Sequence, residues 1–410
     1  MTGGKVAAER LKAVHLEREM REVGLHLHRA ARGKTANLDR LLALRRLEKN
    51  QFRTARRLVP AHLVEAVERA LRSGENGYCA SAGILPAREA IAEEYTRRGW
   101  TTSPDRVLVT SGTSEAIELA LTALVDPGSN VLVPMPTYPL YTAVLAKLGG
   151  EPLFYRTDPA QGWSPDLEHL ERVITPNTRA LVLIDPNNPT GAIYSPEMRL
   201  KLIAFAERHG IPILADEVYG DLGYDGSVAP LGSLAPDAAI ISLSSLSKGY
   251  VAPGWRTGWL AVSNTPRLDD VVAALRKLAD GRLCSTTPMQ WAIPAALQGD
   301  RAPQRALQAA MRERADVTTT MLSAMSGMSI VAPRAAFYAM PKLSLPPGTS
   351  DEEYVLALLR ATGILVVYGA GFGMPANEGY MRIVFLASPD ELREIYSIMG
   401  AFTAEYLAGR

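Results

Sequence analysis

Lys248 follows an apolar run, Ala239, Ile240, Ile241 and Leu243, that reads as a buried strand, and it stands among small hydroxyl residues ahead of Gly249 and Arg256. A lysine held near a strand end among apolar neighbours is desolvated, which favours its neutral amine. A neutral amine adds to carbonyl carbon, so the chemistry on offer is a Schiff base with an aldehyde or ketone. Taken alone, Ser245-Leu246-Ser247-Lys248 reads more simply as a solvated lysine in a strand-to-loop turn.

Other groups upstream change that weighting. Ser111-Gly112-Thr113-Ser114 follows an apolar run at 107–110 and opens an apolar helix over 115–125. Backbone N–H groups at a helix start, with the positive end of its dipole, hold an anion, and Gly112 lets the backbone approach a phosphate closely. The same turn also reads as a plain N-cap made by Thr113 or Ser114. Pro136-Thr137-Tyr138-Pro139 fixes an aromatic ring between two prolines, a face on which a planar ligand stacks, although a structural turn tyrosine looks the same. Asn188, in the run Asp185 to Gly191, carries an amide able to donate to a phenolic oxygen. Asp216 ends a further apolar run, where a carboxylate is costly unless paired. A protonated ring nitrogen supplies that pair, and an aspartate that keeps the nitrogen charged makes the ring an electron sink. Phosphate, planar ring, phenolic oxygen, pyridinium and amine-reactive carbonyl together describe pyridoxal phosphate.

Two further features stand near the C-terminus. Arg382 lies in an apolar run between Tyr380 and Ile383, where a guanidinium wants a carboxylate, either a structural one or a substrate's. Gly369-Ala370-Gly371-Phe372-Gly373 lacks the following helix and distant acid of a dinucleotide fingerprint and reads as a turn.

These groups need a scaffold, and from Arg106 the chain alternates short β-rich runs with helices, the pattern of a parallel sheet covered on both faces. The runs at 107–110, 130–134, 151–155, 180–184, 211–215, 239–243 and 259–262 predict an α/β domain with a mainly parallel seven-stranded sheet. The candidate groups from Gly112 to Asp216 each lie at the C-terminal end of a predicted parallel strand, and open α/β sheets bind ligands along that edge. Helices are expected over 61–72 and 86–98, with a loop over 75–82. After Leu283 a long helical run over 288–325, short strands at 337–341 and 363–367, and helices over 351–362 and 389–407 predict a smaller α/β domain. The expected division is a basic arm over 1–60 packing with the small domain, a large domain over 61–295 and a small domain over 296–410.

Composition bounds the rest. With 410 residues, 47% of them hydrophobic, the chain is long enough for two lobes. Two cysteines, Cys79 and Cys284, make neither a disulfide framework nor a structural zinc site, and no metal site is expected. No apolar run reaches the length of a membrane span or a signal-peptide core, so a cytoplasmic protein is expected. The net charge is +1, yet residues 1–57 carry fifteen Lys or Arg against six Asp or Glu. Two basic helices are expected at 6–31 and 36–47, lying on a more acidic lobe or a partner subunit; no helix-turn-helix is legible there, and no nucleic-acid partner is expected.

In their order and spacing these motifs resemble the fold-type I, pyridoxal phosphate-dependent aminotransferases of class I and II, and most closely the alanine aminotransferase-like branch. The resemblance covers about Ala61 to the C-terminus. It implies Lys248 as the Schiff-base lysine, Asp216 as partner of the pyridine nitrogen, Tyr219 and Asn188 as donors to the ring phenolate, and Tyr138 as the stacking ring. Gly112, Thr113, Ser245 and Arg256 match the phosphate-binding positions. Tyr78 matches a tyrosine that reaches the phosphate of the neighbouring subunit, so a homodimer is implied. Arg382 matches the arginine that clamps the substrate α-carboxylate, beside Asn188. The pattern departs from the family over 32–58, where relatives carry a short strand ending in a glycine and an aspartate-proline turn.

The implied function is transfer of an amino group between an amino acid and a 2-oxo acid. Other chemistry on the same cofactor cage, a β-lyase or a decarboxylase, is the alternative, followed by a regulator that keeps the fold for ligand sensing. Dicarboxylate-specific relatives place a second arginine, from the partner subunit, in the segment after the large domain, where it pairs with the distal carboxylate. The matching stretch, Ser285 to Ile293, has no cation and supplies Met289, Trp291 and Ile293, which points to a small neutral or apolar amino acid. The competing expectation is that these three are core and that Arg282 or an arginine of the basic arm swings in to meet a distal carboxylate.

Overall fold

A computed structural model describes residues 59–409. The basic arm and its two predicted helices, with the departure over 32–58, lie outside the described residues.

All seven predicted strands form, with ends shifted by up to three residues: β1 (Val107–Thr110), β2 (Asn130–Met135), β3 (Glu151–Asp158), β5 (Thr178–Ile184), β6 (Ile213–Asp216), β7 (Ile240–Ser245) and β8 (Gly258–Val262). An eighth, the two-residue β4 (Ser164–Pro165), adds antiparallel to β3 at one edge. The order is β1-β8-β7-β6-β5-β2-β3-β4. Strands β3, β2, β5, β6 and β7 run parallel, while β8 lies antiparallel between β7 and β1. The seven-strand expectation thus holds for the body of the sheet, and β4 escaped it because two residues carry no periodicity.

The apolar runs are continuous because both faces are buried. Leu132, Leu181, Ile213 and Ile240 pack on one side with helices Leu85–Arg97, Pro196–Arg208 and Ala292–Gln298. Val131, Val182, Leu214 and Ile241 pack on the other with helices Thr113–Leu124, Pro139–Leu148 and Asp269–Gly281.

The long run expected over 288–325 is three helices, Thr287–Gln290, Ala292–Gln298 and Ala302–Ser323. Gly299, extended at ψ −171°, ends the second, and Pro303 sits in the first turn of the third. Helix Ala302–Ser323 contributes Ala315 and Leu322 to a separate core with Tyr354, Leu358, Phe385 and Tyr396. The short strand expected at 337–341 forms as Tyr338–Ala339 and pairs with Met381–Val384, a strand the sequence reading did not separate, which carries Arg382. Among the described residues no helix is long and apolar enough to cross a membrane.

Candidate functional site

The sheet register explains how groups far apart in sequence meet. Ser245 pairs with Gly258 across β7 and β8, so the loop between them, which carries Lys248 and Arg256, closes over one sheet edge, pinned by the Leu246 N–H donating to the Thr257 carbonyl at 3.0 Å. Gly258 also pairs with Thr110, which sets the Gly112 turn against the same loop. A Cβ at Gly258 would lie 2.6 Å from the Gly112 carbonyl carbon and 2.7 Å from the Thr113 nitrogen, so only glycine permits this approach. Next in the sheet, Leu243 pairs with Asp216, and Ile184 pairs with Asp216 from the other side, bringing Asn188 to the same edge.

At the phosphate-type turn the helix Thr113–Leu124 is capped by Gly112 at φ 81° with no side-chain cap. Neither Thr113 nor Ser114 is the cap residue, so the N-cap alternative is replaced by a bare helix start. The Thr113 hydroxyl is buried with no hydrogen-bond partner among the described residues. Arg256, held at φ 51°, donates to the Ser111 and Pro253 carbonyls at 3.0 and 3.1 Å, which aims its guanidinium at the turn; a Cβ at Gly112 would collide with it. Ser245 is buried and accepts from the Ser247 N–H at 3.2 Å. A bare helix N-terminus, an arginine and two small hydroxyls fit a phosphate group.

Asp216 is 3% exposed. It accepts from the Tyr141 hydroxyl at 3.1 Å and the Val218 N–H at 3.4 Å, and it has no ion-pair partner among the described residues. Burial pushes its pKa from 3.8 up to about 6, against the pull of those two hydrogen bonds. A buried carboxylate in that condition fits a protonated ring nitrogen, the one part of the cofactor that brings a positive charge. Tyr138, half-buried at the start of helix Pro139–Leu148, sits in the fields of Asp216, Arg382 and Arg256.

Lys248 is half-buried, with its Nζ 5.9 Å from the Tyr219 ring centre and 5.7 Å from that of Phe337. Tyr219 is buried, and its hydroxyl donates to the Tyr338 hydroxyl at 3.0 Å. Arg382 donates through Nη1 to Asn188 Oδ1 at 3.2 Å, so the Asn188 amide nitrogen is the atom left with protons to give. The guanidinium lies between two rings, 4.8 Å from the centre of Tyr338 and 4.7 Å from that of Phe372, and pairs with no carboxylate among the described residues. No structural carboxylate meets Arg382 among the described residues, and its Nε is buried there without a hydrogen-bond partner. Tyr78 is 85% exposed in the single subunit.

Sequence reasoning missed Tyr141, Phe337, Tyr338 and Phe372. Tyr141 stands one helical turn after Tyr138, a spacing that puts both on one face. Phe372 comes from the glycine cluster, whose turn is a short 3₁₀ helix, Gly369–Phe372, tied to the Tyr138 loop by the Thr137 N–H donating to the Phe372 carbonyl at 2.9 Å. Phe337 and Tyr338 carried no signal beyond an apolar run.

Ile293 is fully buried in the large core, while Met289 and Trp291 pack against the same cluster and stay half-buried. Arg282 pairs with Glu115 at 3.0 Å and donates to the Val109 carbonyl at 2.7 Å, so within the subunit it is already engaged.

Comparison with known proteins agrees with this geometry. Residues 45–397 match the family described as Aminotransferase class I and II, a match that starts before the position 61 at which the motifs first became recognisable. The chain is 39% identical over 338 residues to an alanine aminotransferase of Mycobacterium tuberculosis, covering 80% of this chain and 79% of that protein. It is 35% identical over 340 residues to the glutamate-pyruvate aminotransferase AlaA of Escherichia coli, covering 80% and 83%. An alanine aminotransferase structure from Pyrococcus furiosus superposes with a TM-score of 0.82 at 37% identity, over 85% of this chain and 88% of that one. With its sheet order and its bare phosphate-type turn, this chain belongs to the class I and II aminotransferases, pyridoxal phosphate-dependent enzymes of fold type I.

Proposed function

We propose that this aminotransferase moves an amino group between a small neutral amino acid, alanine first and valine-like side chains next, and a 2-oxo acid such as 2-oxoglutarate or pyruvate. The observation that carries the site assignment is Asp216, an enclosed carboxylate without a cation partner among the described residues, at the same sheet edge as Lys248, the Gly112 turn and Arg382. Pyridoxal phosphate, when bound, supplies an aldehyde and an electron-withdrawing ring that takes up the electron pair left when a Cα–H bond breaks. Lys248 holds the cofactor and its amine moves the proton to and from the substrate Cα. Asp216 keeps the ring nitrogen protonated, while the Tyr219 hydroxyl and Asn188 Nδ2 donate to the phenolate oxygen. Gly112, Thr113, Ser245 and Arg256 hold the phosphate, and Tyr138 stacks on the ring. Arg382 takes the substrate α-carboxylate, with its guanidinium positioned by Asn188 and two aromatic rings.

The substrate reading rests on the activities named for the relatives and on the absence of a cation between Ser285 and Ile293, with Arg282 already engaged. The Tyr78 side chain, 85% exposed in one subunit and so free to pack on a second, supports a homodimer in which it reaches the partner's phosphate site. The lobes divide near residue 295, where helix Ala292–Gln298 is the last element on the large core. Two free thiols, Cys79 and Cys284, support a cytoplasmic location. Comparing kcat/KM for alanine, valine and aspartate tests the substrate reading: alanine leads, and a preference for aspartate of about tenfold, about 1.4 kcal/mol, would make it wrong.

A further inference from the structure

We propose that Tyr338 is a positioning residue with two separable functions: its hydroxyl backs the Tyr219 hydroxyl in a two-phenol relay to the cofactor, and its ring holds the Arg382 guanidinium in place for the substrate carboxylate. The inference rests on the roles assigned above to Tyr219 and Arg382.

Tyr338 is 7% exposed and lies on the strand Tyr338–Ala339, paired antiparallel with Met381–Val384 so that Tyr338 faces Val384 and Ala339 faces Ile383. Arg382 is two residues from Val384, on the same face of its strand, and is therefore the diagonal neighbour of Tyr338. The contact follows: the guanidinium carbon stands 4.8 Å from the Tyr338 ring centre, with Phe372 at 4.7 Å on its other contact. A weakly hydrated planar cation loses little by lying between two rings and gains a fixed orientation.

The hydroxyl end reaches a different group. Tyr219 and Tyr338 oxygens are 3.0 Å apart, and their rings meet edge to face at 5.6 Å. In the described structure Tyr219 donates to Tyr338. Each phenol owns a single proton, so once Tyr219 gives its proton to the cofactor's phenolate oxygen, Tyr338 must become the donor to Tyr219. Burial and the adjoining Tyr338 hydroxyl keep Tyr219 well above the ordinary phenol range, which keeps it a donor. The charged groups facing the pair are Asp216, Arg382 and, beside the Tyr219 ring, Lys248; Tyr138 faces Tyr338 from the helix opposite. A relay of this kind spreads the negative charge of the phenolate over two phenols and weakens its hold on the neighbouring proton of the lysine linkage.

Three variants of the holoenzyme separate the claims: Tyr219→Phe, Tyr338→Phe and Tyr338→Leu, each checked for native circular dichroism. The first readout is the pH titration of the cofactor's visible absorbance. Tyr219→Phe should raise its midpoint, and Tyr338→Phe should raise it by less, roughly half to one pH unit, the size of one hydrogen bond. The second readout is the dissociation constant of 2-methylalanine, an alanine analogue with no Cα hydrogen to lose. Tyr338→Phe keeps the ring and should leave it within about twofold, while Tyr338→Leu should weaken it about tenfold, the worth of a desolvated cation–π contact. If Tyr219→Phe shifts the midpoint and Tyr338→Phe does not, the relay is overturned. If Tyr338→Phe and Tyr338→Leu weaken the analogue equally, or neither does, the ring's function is overturned. If Tyr219→Phe itself leaves the midpoint in place, the assignment of Tyr219 fails first, a result distinct from the other two.

Discussion

Replacing Asp216 with asparagine should make the cofactor-free protein more stable at alkaline pH while removing most of its activity. The side chain is 3% exposed, and its two hydrogen bonds, from Tyr141 and Val218, do not offset burial, which raises its pKa from 3.8 to about 6. A shift of about two units corresponds to about 3 kcal/mol of differential interaction, an upper figure for so enclosed a group. The sign follows from linkage. A folded-state pKa raised above the unfolded value gives stability that is full below 3.8 and lost as pH rises through about 6, so the ionised form strains the cofactor-free fold near neutrality. Asparagine removes that charge but brings amide hydrogens that the site must satisfy, at about 1 kcal/mol, leaving a net gain of about 1–2 kcal/mol. Urea unfolding of both cofactor-free proteins near pH 8 and near pH 4.5 measures it: the variant should lead at about pH 8 and lose that lead at about pH 4.5. With cofactor added, wild type should gain the larger increment, and the variant's kcat should fall by about 3 kcal/mol or more in barrier height, because a neutral amide does not hold the ring nitrogen protonated. Equal stability at both pH values, or near-normal kcat, would refute the reasoning.

Three further outcomes follow from the same geometry. Arg382→Gln should raise the KM for alanine about a hundredfold while the protein still binds its cofactor, because it removes the charge that meets the substrate carboxylate; a normal KM would contradict it. Gly112→Ala should weaken cofactor binding about tenfold or more, measured by equilibrium dialysis, because a side chain at φ 81° is strained and meets the Arg256 guanidinium. Arg199→Leu should destabilise the fold by about 3–5 kcal/mol in urea titrations, since the buried Asp185, which accepts from Arg199 Nε at 2.6 Å, is left uncompensated; changing Asp185 to leucine as well should recover part of the loss.

The sheet was legible because each central strand is buried on both faces and so reads as an uninterrupted apolar run: Ala180 to Ile184 and Ile240 to Leu243 admit no other element of that length. The site was legible for a related reason. Polar residues at the ends of such runs, Asp216 and Asn188 among them, are costly there and mark the edge where a ligand compensates them. Strand direction was not legible, since periodicity is the same in both senses, and β8 gave no sign that it lies antiparallel between β7 and β1. Nor was the aromatic lining of Arg382: Tyr338 and Phe372 meet it only through the pairing of two short strands and a turn. Nor was the surrounding of Met289, Trp291 and Ile293, because an apolar residue after a domain's last strand looks the same whether it faces a ligand or a core; of the three only Ile293 is fully enclosed by the core.

The central claim is tested most directly by a single half-reaction. Purified holoenzyme is mixed with L-alanine in the absence of any 2-oxo acid, pyruvate is quantified, and then 2-oxoglutarate is added and glutamate is quantified. In parallel, untreated holoenzyme is reduced with borohydride and its peptides are mapped. The account predicts pyruvate stoichiometric with subunits, glutamate released in the second step, and the cofactor fixed on the peptide carrying Lys248. Ammonia or carbon dioxide in place of stoichiometric pyruvate, or a label on a different lysine, would contradict it.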